Sequence, residues 1–511
     1  MSGRLASFIL HHPFAVLSAA ASASFGVHLL TIAEYPPAWF DEIEILEMGR
    51  FSIFDVMPDW SVNLIPQADG TFTPPYPYFH YLSGALLEAL YRLTGGFLWG
   101  RAVMLASLPC CALALFTWLR TKPIAPAFAF VAALLFLIDP NATICAHWYR
   151  PDLWCMAMTL IALALICKAE ATRFQRMWMV LAGSLTATAI FFWITAVLFL
   201  PLAFLETCSP DGVRPRPKIA FRRLASVFVG GALATAILLI PLYPYIPDIL
   251  SQYMSKSEIA TLSTVSDSPL SAFAGRLLDF VKIACRSPFV WGAAVVGLLY
   301  AKRFRLHAIL FLATAAFILS TRVYHLRMVY LMPYLLLLAA AAVDRLSRCE
   351  KRLVAGATRA YLALALTFGV TLSVGALNLA AWPEGNTLDA LSRQLQAAIP
   401  MPSPKVYLHD FEHELYYAGR RNGWRMYSTS PRELIFSDRY ERLLDELDAV
   451  TVSATAPELT EYQRRILSRH GFVPTCRISM PPSATGALKQ RLATIFYAHG
   501  YPDCEIWRRR Q

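Results

Sequence analysis

Asp41 and Glu42 stand side by side in AEYPPAWFDEIEILEMGRF (33–51). A carboxylate at a membrane surface can act as a general base towards a hydroxyl. Neighbouring helical residues point in different directions, so one of the pair reaches a reacting atom and the other orients it. The same letters also spell a helix start, with Asp41 as N-cap and Glu44 three residues on. A second acid lies in HWYRPDLW (147–154), where Arg150 and Asp152 flank Pro151. Asp152 suits the first turn of a helix begun by Pro151, and with Arg150 and Asp41 it can also build an acidic-basic site. A third cluster is STRVYHLRMVYLMP (320–333), with Arg322, His325 and Arg327 within two helical turns. Arginine grips phosphate well, and it also snorkels at membrane interfaces. His80 sits in TPPYPYFHYL (73–82) with Tyr76, Tyr78 and Tyr81 around it, a pattern shared by an aromatic interface belt.

Asp139, in LFLIDPNAT (135–143), precedes Asp152 by 13 residues. On one continuous helix it lies roughly 20 Å deeper, where an acid is a functional candidate by default. Lys256, Arg276, Lys282 and Arg286 fall between 247 and 287, as anion ligands or as solvated charges. No metal signature stands out. His11 and His12 are near the N-terminus, and His409 and His413 in HDFEH lack helix signals. The absence of a P-loop and of G-x-G-x-x-G argues against a nucleotide-driven pump.

Most of the chain exists to place these groups in a bilayer. Of 511 residues, 56% are hydrophobic and 16% charged, with a mean hydropathy of +0.45. Soluble proteins carry roughly 45–50% apolar and about 25% charged residues, so a soluble multi-domain enzyme and a disordered chain are both excluded. The net charge of +11 is the mark of basic cytoplasmic loops rather than of nucleic acid binding. Ten cysteines make no dense framework. Apolar runs at 14–33, 102–119, 126–146, 153–167, 177–192, 194–206, 224–246, 288–301, 306–320, 328–343 and 360–381 predict about 11 transmembrane helices. The first run lacks a cleavage signal and is read as a retained span with the N-terminus inside. Basic flanks on both sides of 177–206 require an even number of crossings there, hence a hairpin near Trp193. The aromatic stretch 76–98 carries His80, Glu88 and Arg92 and predicts a re-entrant or interfacial segment. The short runs 288–301 and 306–320 are expected to extend into their flanks.

These runs divide the chain into a membrane domain, 1–383, with outer loops 34–79 and 247–287, and a segment of ordinary soluble composition, 384–511. KVYLHD (405–410) and AVTVSA (449–454) read as strands, and 431–447 and 458–471 as helices. The alternation predicts a small α/β domain on the outer face, where Cys476 and Cys504 are free to pair.

The order of these motifs resembles the GT-C membrane glycosyltransferases. It is most similar to the bacterial, family 39-like branch related to protein O-mannosyltransferases and lipid A aminoarabinose transferase. The carriers of the resemblance are one span, an outer loop with Asp-Glu, a Pro-Pro-aromatic segment, Arg-Pro-Asp between the third and fourth spans, and an outer C-terminal domain. The resemblance implies transfer of a sugar from a polyprenyl-phosphate donor to an envelope lipid, glycan or protein at the outer face of a bacterial inner membrane. It implies Asp41 and Glu42 as the first-loop acidic motif, Asp152 as the second acidic position, and Arg322, His325 and Arg327 as basic groups near the lipid phosphate. Relatives often begin the Pro-aromatic segment with Lys, where this chain has Thr73. No cofactor, metal or nucleic acid partner is implied. Two other classes fit the composition: a transporter or flippase of lipid-linked sugars, which favours inverted repeats and broken helices, and a scaffold, which leaves the gathered acids and bases unexplained.

Overall fold

An apolar run can cross a bilayer only as a structure that satisfies its own backbone hydrogen bonds, and here that structure is the helix. In the computed structural model the described residues are 11–30, 32, 45–46, 48–54, 62–66, 72–73, 80–96, 98–148, 150–169, 172–209, 217–247, 249–250, 269–300, 302–321, 323, 325–350, 352–379, 388–408, 416, 419–420, 422–429, 438–453, 457–478 and 504–510. The chain opens with α1 (Pro13–Leu29), β1 (Val62–Pro66), β2 (Phe72–Thr73) and α2 (Leu82–Thr94). The helices α3 (Leu98–Leu105), α4 (Ser107–Leu119), α5 (Pro126–Leu137), α6 (Pro140–His147), α7 (Asp152–Lys168), α8 (Gln175–Phe192), α9 (Leu200–Cys208) and α10 (Pro217–Leu239) follow. Next come α11 (Pro269–Ala284), α12 (Pro288–Tyr300), α13 (Arg305–Ser320), the short α14 (His325–Met328), α15 (Met332–Ser347) and α16 (Arg352–Leu379). The last part holds α17 (Leu388–Ala398), β3 (Lys405–Leu408), β4 (Arg425–Thr429), α18 (Asp438–Leu444), β5 (Ala449–Ser453), α19 (Pro457–Arg469), β6 (Phe472–Ile478) and β7 (Cys504–Arg509). Two compact units result. One comprises Met1–Leu30, Ala102–Pro244 and Lys256–Gly375, and the other Thr31–Arg101, Tyr245–Ser255 and Ala376–Gln511.

Among the described residues, Leu98–Leu119, Ala220–Tyr245, Leu326–Ser347 and Arg352–Leu372 are long and apolar enough to cross a membrane. Two bent pairs meet the same test jointly: Pro126–Leu137 with Pro140–His147, bent by 53°, and Phe273–Ala284 with Pro288–Leu299, bent by 108°. Leu233, Ile237 and Phe228 on α10 stay exposed, as expected for a lipid-facing helix. The helix starting at Gln175 ends at Phe192, and Trp193 is extended (φ −159°, ψ 126°), so the break falls where the charge pattern put the hairpin. The backbones of α8 and α10 touch: a Cβ on Gly183 would overlap the Val227 carbonyl oxygen, and one on Gly230 that of Val180. Only glycine permits that approach.

Two expectations are corrected. The run at 288–301 does not extend into its N-terminal flank. Pro288 begins α12, and the chain turns through 108° into α11, because proline has no N–H to continue a helix from upstream. Asp139 is not on one helix with Asp152, since α6 ends at His147 and Asp152 opens α7. It is the N-cap of α6, accepting from the N–H groups of Asn141 (2.9 Å) and Ala142 (3.0 Å), with Ser287 donating to its other oxygen. Its place in an apolar region follows from capping a broken helix.

The bundle also buries a charge cluster that periodicity did not reveal. Lys122 pairs with Glu206, whose other oxygen lies 3.0 Å from His307 Nε2. The Cys167 thiol donates to Glu206 at 3.3 Å, and Lys122 stacks on Trp118 at 5.6 Å. These groups sit at chain positions that the span pattern assigns to the cytoplasmic ends of the helices.

In the second unit a seven-stranded sheet runs in the order β2-β1-β4-β3-β5-β7-β6. The β1–β4, β4–β3 and β3–β5 pairs are parallel, and the rest are antiparallel. Tyr407, Val450, Val452, Leu467, Phe472 and Trp507 fill its core. The sequence pattern anticipated β3, β5, α18 and α19. It did not anticipate that Val62–Pro66 and Phe72–Thr73 would join the same sheet. Cys476 and Cys504 are not joined by a disulfide. Cys476 faces Ile506 and Cys504 faces Ile478, a diagonal separation of about 7–8 Å, beyond disulfide reach.

Arg464 donates to both oxygens of Glu505, at 3.0 and 2.5 Å, and holds its carboxyl below the usual range. A depressed carboxylate stabilises the fold above its unfolded pKa, and that stability is lost as pH falls through the depressed folded value. Arg464→Gln should therefore lower stability near neutral pH and converge with wild type in acid, in urea unfolding followed by Trp507 fluorescence. Breaking one partner of the buried cluster leaves an uncompensated charge costing about 3–5 kcal/mol. Lys122→Met should thus lower the melting temperature in detergent more than Lys122→Met with Glu206→Gln does. Equal losses would show that the pair does not act as a unit.

Candidate functional site

In the first unit the site is built at the start of α7. Pro151 precedes the helix and Asp152 occupies its first turn. Arg150 Nε donates to Asp152 Oδ2 at 2.8 Å, Arg150 Nη2 reaches Oδ1 at 3.5 Å, and the Tyr330 hydroxyl donates to Oδ1 at 2.9 Å. Arg150 lies over the Trp193 ring at 4.9 Å, and Tyr330 packs on Phe199 at 5.1 Å. Arg150 and Asp152 are only 2% and 1% exposed. Isolated charges at such burial cost several kcal/mol each, so pairing and a third hydrogen bond are needed to keep them. Both carboxylate oxygens are engaged. Chemically this suits an anion that orients a guanidinium better than one that takes a proton.

Tyr330 lies one turn beyond Arg327. Arg327 donates to Thr321 Oγ1 at 2.8 Å. Arg276, from α11, donates to the carbonyls of Ser320 and Thr321 at 3.1 and 3.0 Å. Two arginines therefore meet at the C-terminus of α13, where the helix dipole favours cations. The elements α6, α11 and α14 pack around this point. Of the predicted basic cluster, Arg327 lies at the end of α13, the backbone of His325 opens α14, and Arg322 lies outside the described residues. Among the loop cations, Arg276 joins the cluster, and Lys282 pairs with Asp279 at 3.4 Å on the surface. Lys256 is outside the described residues. Tyr330 and Trp193 were not foreseen as site residues. A tyrosine in an apolar run carries no signal until its partner is known.

In the second unit, Asp41, Glu42 and Tyr76 lie outside the described residues, and His80 is buried just before α2. The 13 residues of α2 span about 20 Å, short of the ~30 Å hydrocarbon core. The helix ends at Gly95 (φ 69°), in agreement with the non-crossing reading of this stretch. Residues 45–46 and 48–49, which begin three residues after Glu42 in sequence, are helical and lead into a π-helical turn, Arg50–Phe54. This turn meets α2 backbone to backbone. A Cβ on Gly49 would overlap the Gly84 carbonyl, and one on Gly84 would lie 2.7 Å from Gly49 N. Glu88, fully buried on α2, accepts from Arg92 Nε at 2.7 Å and from Arg420 Nη2 at 2.7 and 2.9 Å. Among the described residues no group of three or more His, Cys, Asp or Glu is placed to hold a metal, and His409 and His413 lie outside those residues.

No protein-family model and no curated protein sequence matches the chain. Solved structures do. ArnT from Cupriavidus metallidurans bound to undecaprenyl phosphate superposes with a TM-score of 0.59 at 15% identity, over 96% of this chain and 97% of that one. The oligosaccharyltransferase of Archaeoglobus fulgidus with zinc and sulfate matches with a TM-score of 0.54 at 14% identity, over 86% and 68%. The same archaeon's AglB with an inhibitory peptide and a dolichol-phosphate also matches with a TM-score of 0.54 at 14% identity, over 87% and 70%. These neighbours are GT-C glycosyltransferases, and the chain shares their fold as a multi-pass helical membrane protein.

Tyr330→Phe keeps the ring on Phe199 and removes the hydrogen bond to a charged partner, worth about 1.5–3 kcal/mol. It should lower the melting temperature of the detergent-solubilised protein. In an Asp152→Asn background the same change should cost less, and an equal cost in both backgrounds would show that the hydroxyl does not act through Asp152.

Proposed function

We propose that this protein is an integral membrane glycosyltransferase. In this reading it moves a sugar from a polyprenyl-phosphate donor to a lipid, glycan or protein acceptor of the cell envelope, at the outer face of the inner membrane. The proposal includes eleven crossings, a cytoplasmic N-terminus and an outer position for residues 384–511. The observation that carries it is the buried Arg150–Asp152–Tyr330 network one helical turn from Arg327, in a GT-C fold. Asp152 and Tyr330 hold Arg150, so its guanidinium is pre-oriented, and Arg327 and Arg276 add positive charge at the end of α13. Such fixed cations stabilise the charge that develops on a leaving phosphate.

The acceptor hydroxyl oxygen attacks the anomeric carbon as the bond from that carbon to the phosphate oxygen breaks. The electron pair leaves on the lipid phosphate, the hydroxyl proton passes to Asp41, and the anomeric centre inverts. Glu42 orients Asp41, while Arg322, His325, His80 and Tyr76 complete the donor site. The lipid carrier makes a nucleotide site unnecessary.

A second reading, a flippase for the same lipid-linked sugar, draws support from the broken pairs at Asp139 and Ser287. One experiment separates them. Envelope glycolipids are compared by mass spectrometry in a deletion strain carrying wild type, Asp41→Asn or Arg150→Gln at equal expression. The transferase reading expects loss of one defined sugar mass, restored by wild type and not by Asp41→Asn, with Arg150→Gln reduced by about 10²-fold or more in rate. Full rescue by Asp41→Asn overturns Asp41 as base and favours the flippase.

A further inference from the structure

Glu88 and Arg420 are separated by 332 positions and share two hydrogen bonds in the second unit. Glu88 is 0% exposed and the Arg420 side chain 14%. The Arg420 guanidinium also lies over the Tyr91 ring of α2 at 4.3 Å. Arg420 itself is set by a tight turn: Gly423 N–H donates to the Arg420 carbonyl at 3.1 Å, Trp424 N–H to that of Gly419 at 2.9 Å, and Gly423 has φ 73°. That turn feeds directly into β4, whose other edge pairs with β1 from the first outer loop, Val62 opposite Ser428. One short stretch of the C-terminal segment thus grips the first-loop region twice, through α2 and through β1. The grip is relayed further, because α2 crosses the turn at 48–54 at the Gly49–Gly84 contact, and Asp41 lies eight residues before Gly49 in sequence.

We propose that Arg420 is a positioning residue: its hold on both oxygens of Glu88, together with the β1–β4 pairing, sets α2 and the 48–54 turn, which follows the proposed base in sequence, for transfer. This deepens the transferase reading and rests on it. The C-terminal segment then serves the reaction by templating a loop, whatever else it binds. Both bonds leave one nitrogen, Nη2, and the Tyr91 ring holds the guanidinium plane, so direction is fixed as well as distance, and a displacement of about 1 Å at a reacting group costs about 10²-fold in rate.

The test uses the full chain in lipid nanodiscs. Hydrogen exchange is measured at 62–66, 82–94 and α7, and steady-state transfer is measured with the polyprenyl-phosphate sugar donor named by the envelope comparison. Arg420→Gln should raise exchange at 62–66 and 82–94, leave α7 unchanged and lower kcat by about tenfold or more. Arg420→Lys, which keeps the charge and loses the planar stack on Tyr91, should fall between. The exchanged pair Glu88→Arg with Arg420→Glu keeps one carboxylate between two guanidiniums and should recover both protection and kcat. Unchanged exchange in Arg420→Gln, raised exchange with an unchanged kcat, or an exchanged pair no better than Arg420→Gln each overturns the proposal. If wild type transfers no sugar, the transferase reading and the role in transfer fail together, and the exchange data alone decide whether the clamp holds.

Discussion

A charge inside an apolar surrounding must be paired, and this constraint organises the molecule. The cost of desolvating an ion is several kcal/mol even after relaxation. Three networks meet it in the same way, with one carboxylate holding more than one donor. Asp152 holds Arg150 and Tyr330, Glu206 holds Lys122 and His307, and Glu88 holds Arg92 and Arg420. Each carboxylate has both oxygens engaged, so each is a hub that fixes the direction of its partners. Arg150 is aimed by Asp152 and by the Trp193 ring, and α2 is tied to the turn before β4 by Glu88.

The second organising feature is close backbone approach through glycine. Gly183 and Gly230 bring α8 against α10, and Gly49 brings the first-loop turn against α2 at Gly84. A larger residue at either crossing meets backbone atoms and forces the elements apart, disturbing what they carry. In the bundle that is the packing of Met179 and Ala182 against α7. In the second unit it is the segment that follows Asp41.

Breaks in helices do the remaining work. A helix start exposes N–H groups that need acceptors. Asp139 supplies them for α6 from its side chain, and Pro288 and Pro151 mark two further starts. The stretch between α6 and α7 brings Arg150 and Asp152 together, and the sharp turn between α11 and α12 carries Arg276 to the end of α13. Irregular backbone in an apolar protein is tolerated where polar groups satisfy it, and here it coincides with the candidate site.

Composition and period alone identified a polytopic helical membrane protein, the break at Trp193, the short α2, the strands at 405–408 and 449–453, and the Arg150–Asp152 pair two residues apart. These follow from interactions between near neighbours, which the order of residues states directly. The partners of Asp152, Glu88 and Glu206 did not follow. Nor did the capping role of Asp139, the arrival of Arg276 at α13, or the entry of β1 and β2 into the sheet of the C-terminal segment. Those depend on which distant segments meet, and a Tyr330 or an Arg420 carries the same letter whether it faces lipid, water or a carboxylate. Hydrophobic period sets which face of an element is buried, but only the packed chain decides which charge lies opposite it, because pairing acts across the fold while period acts along it.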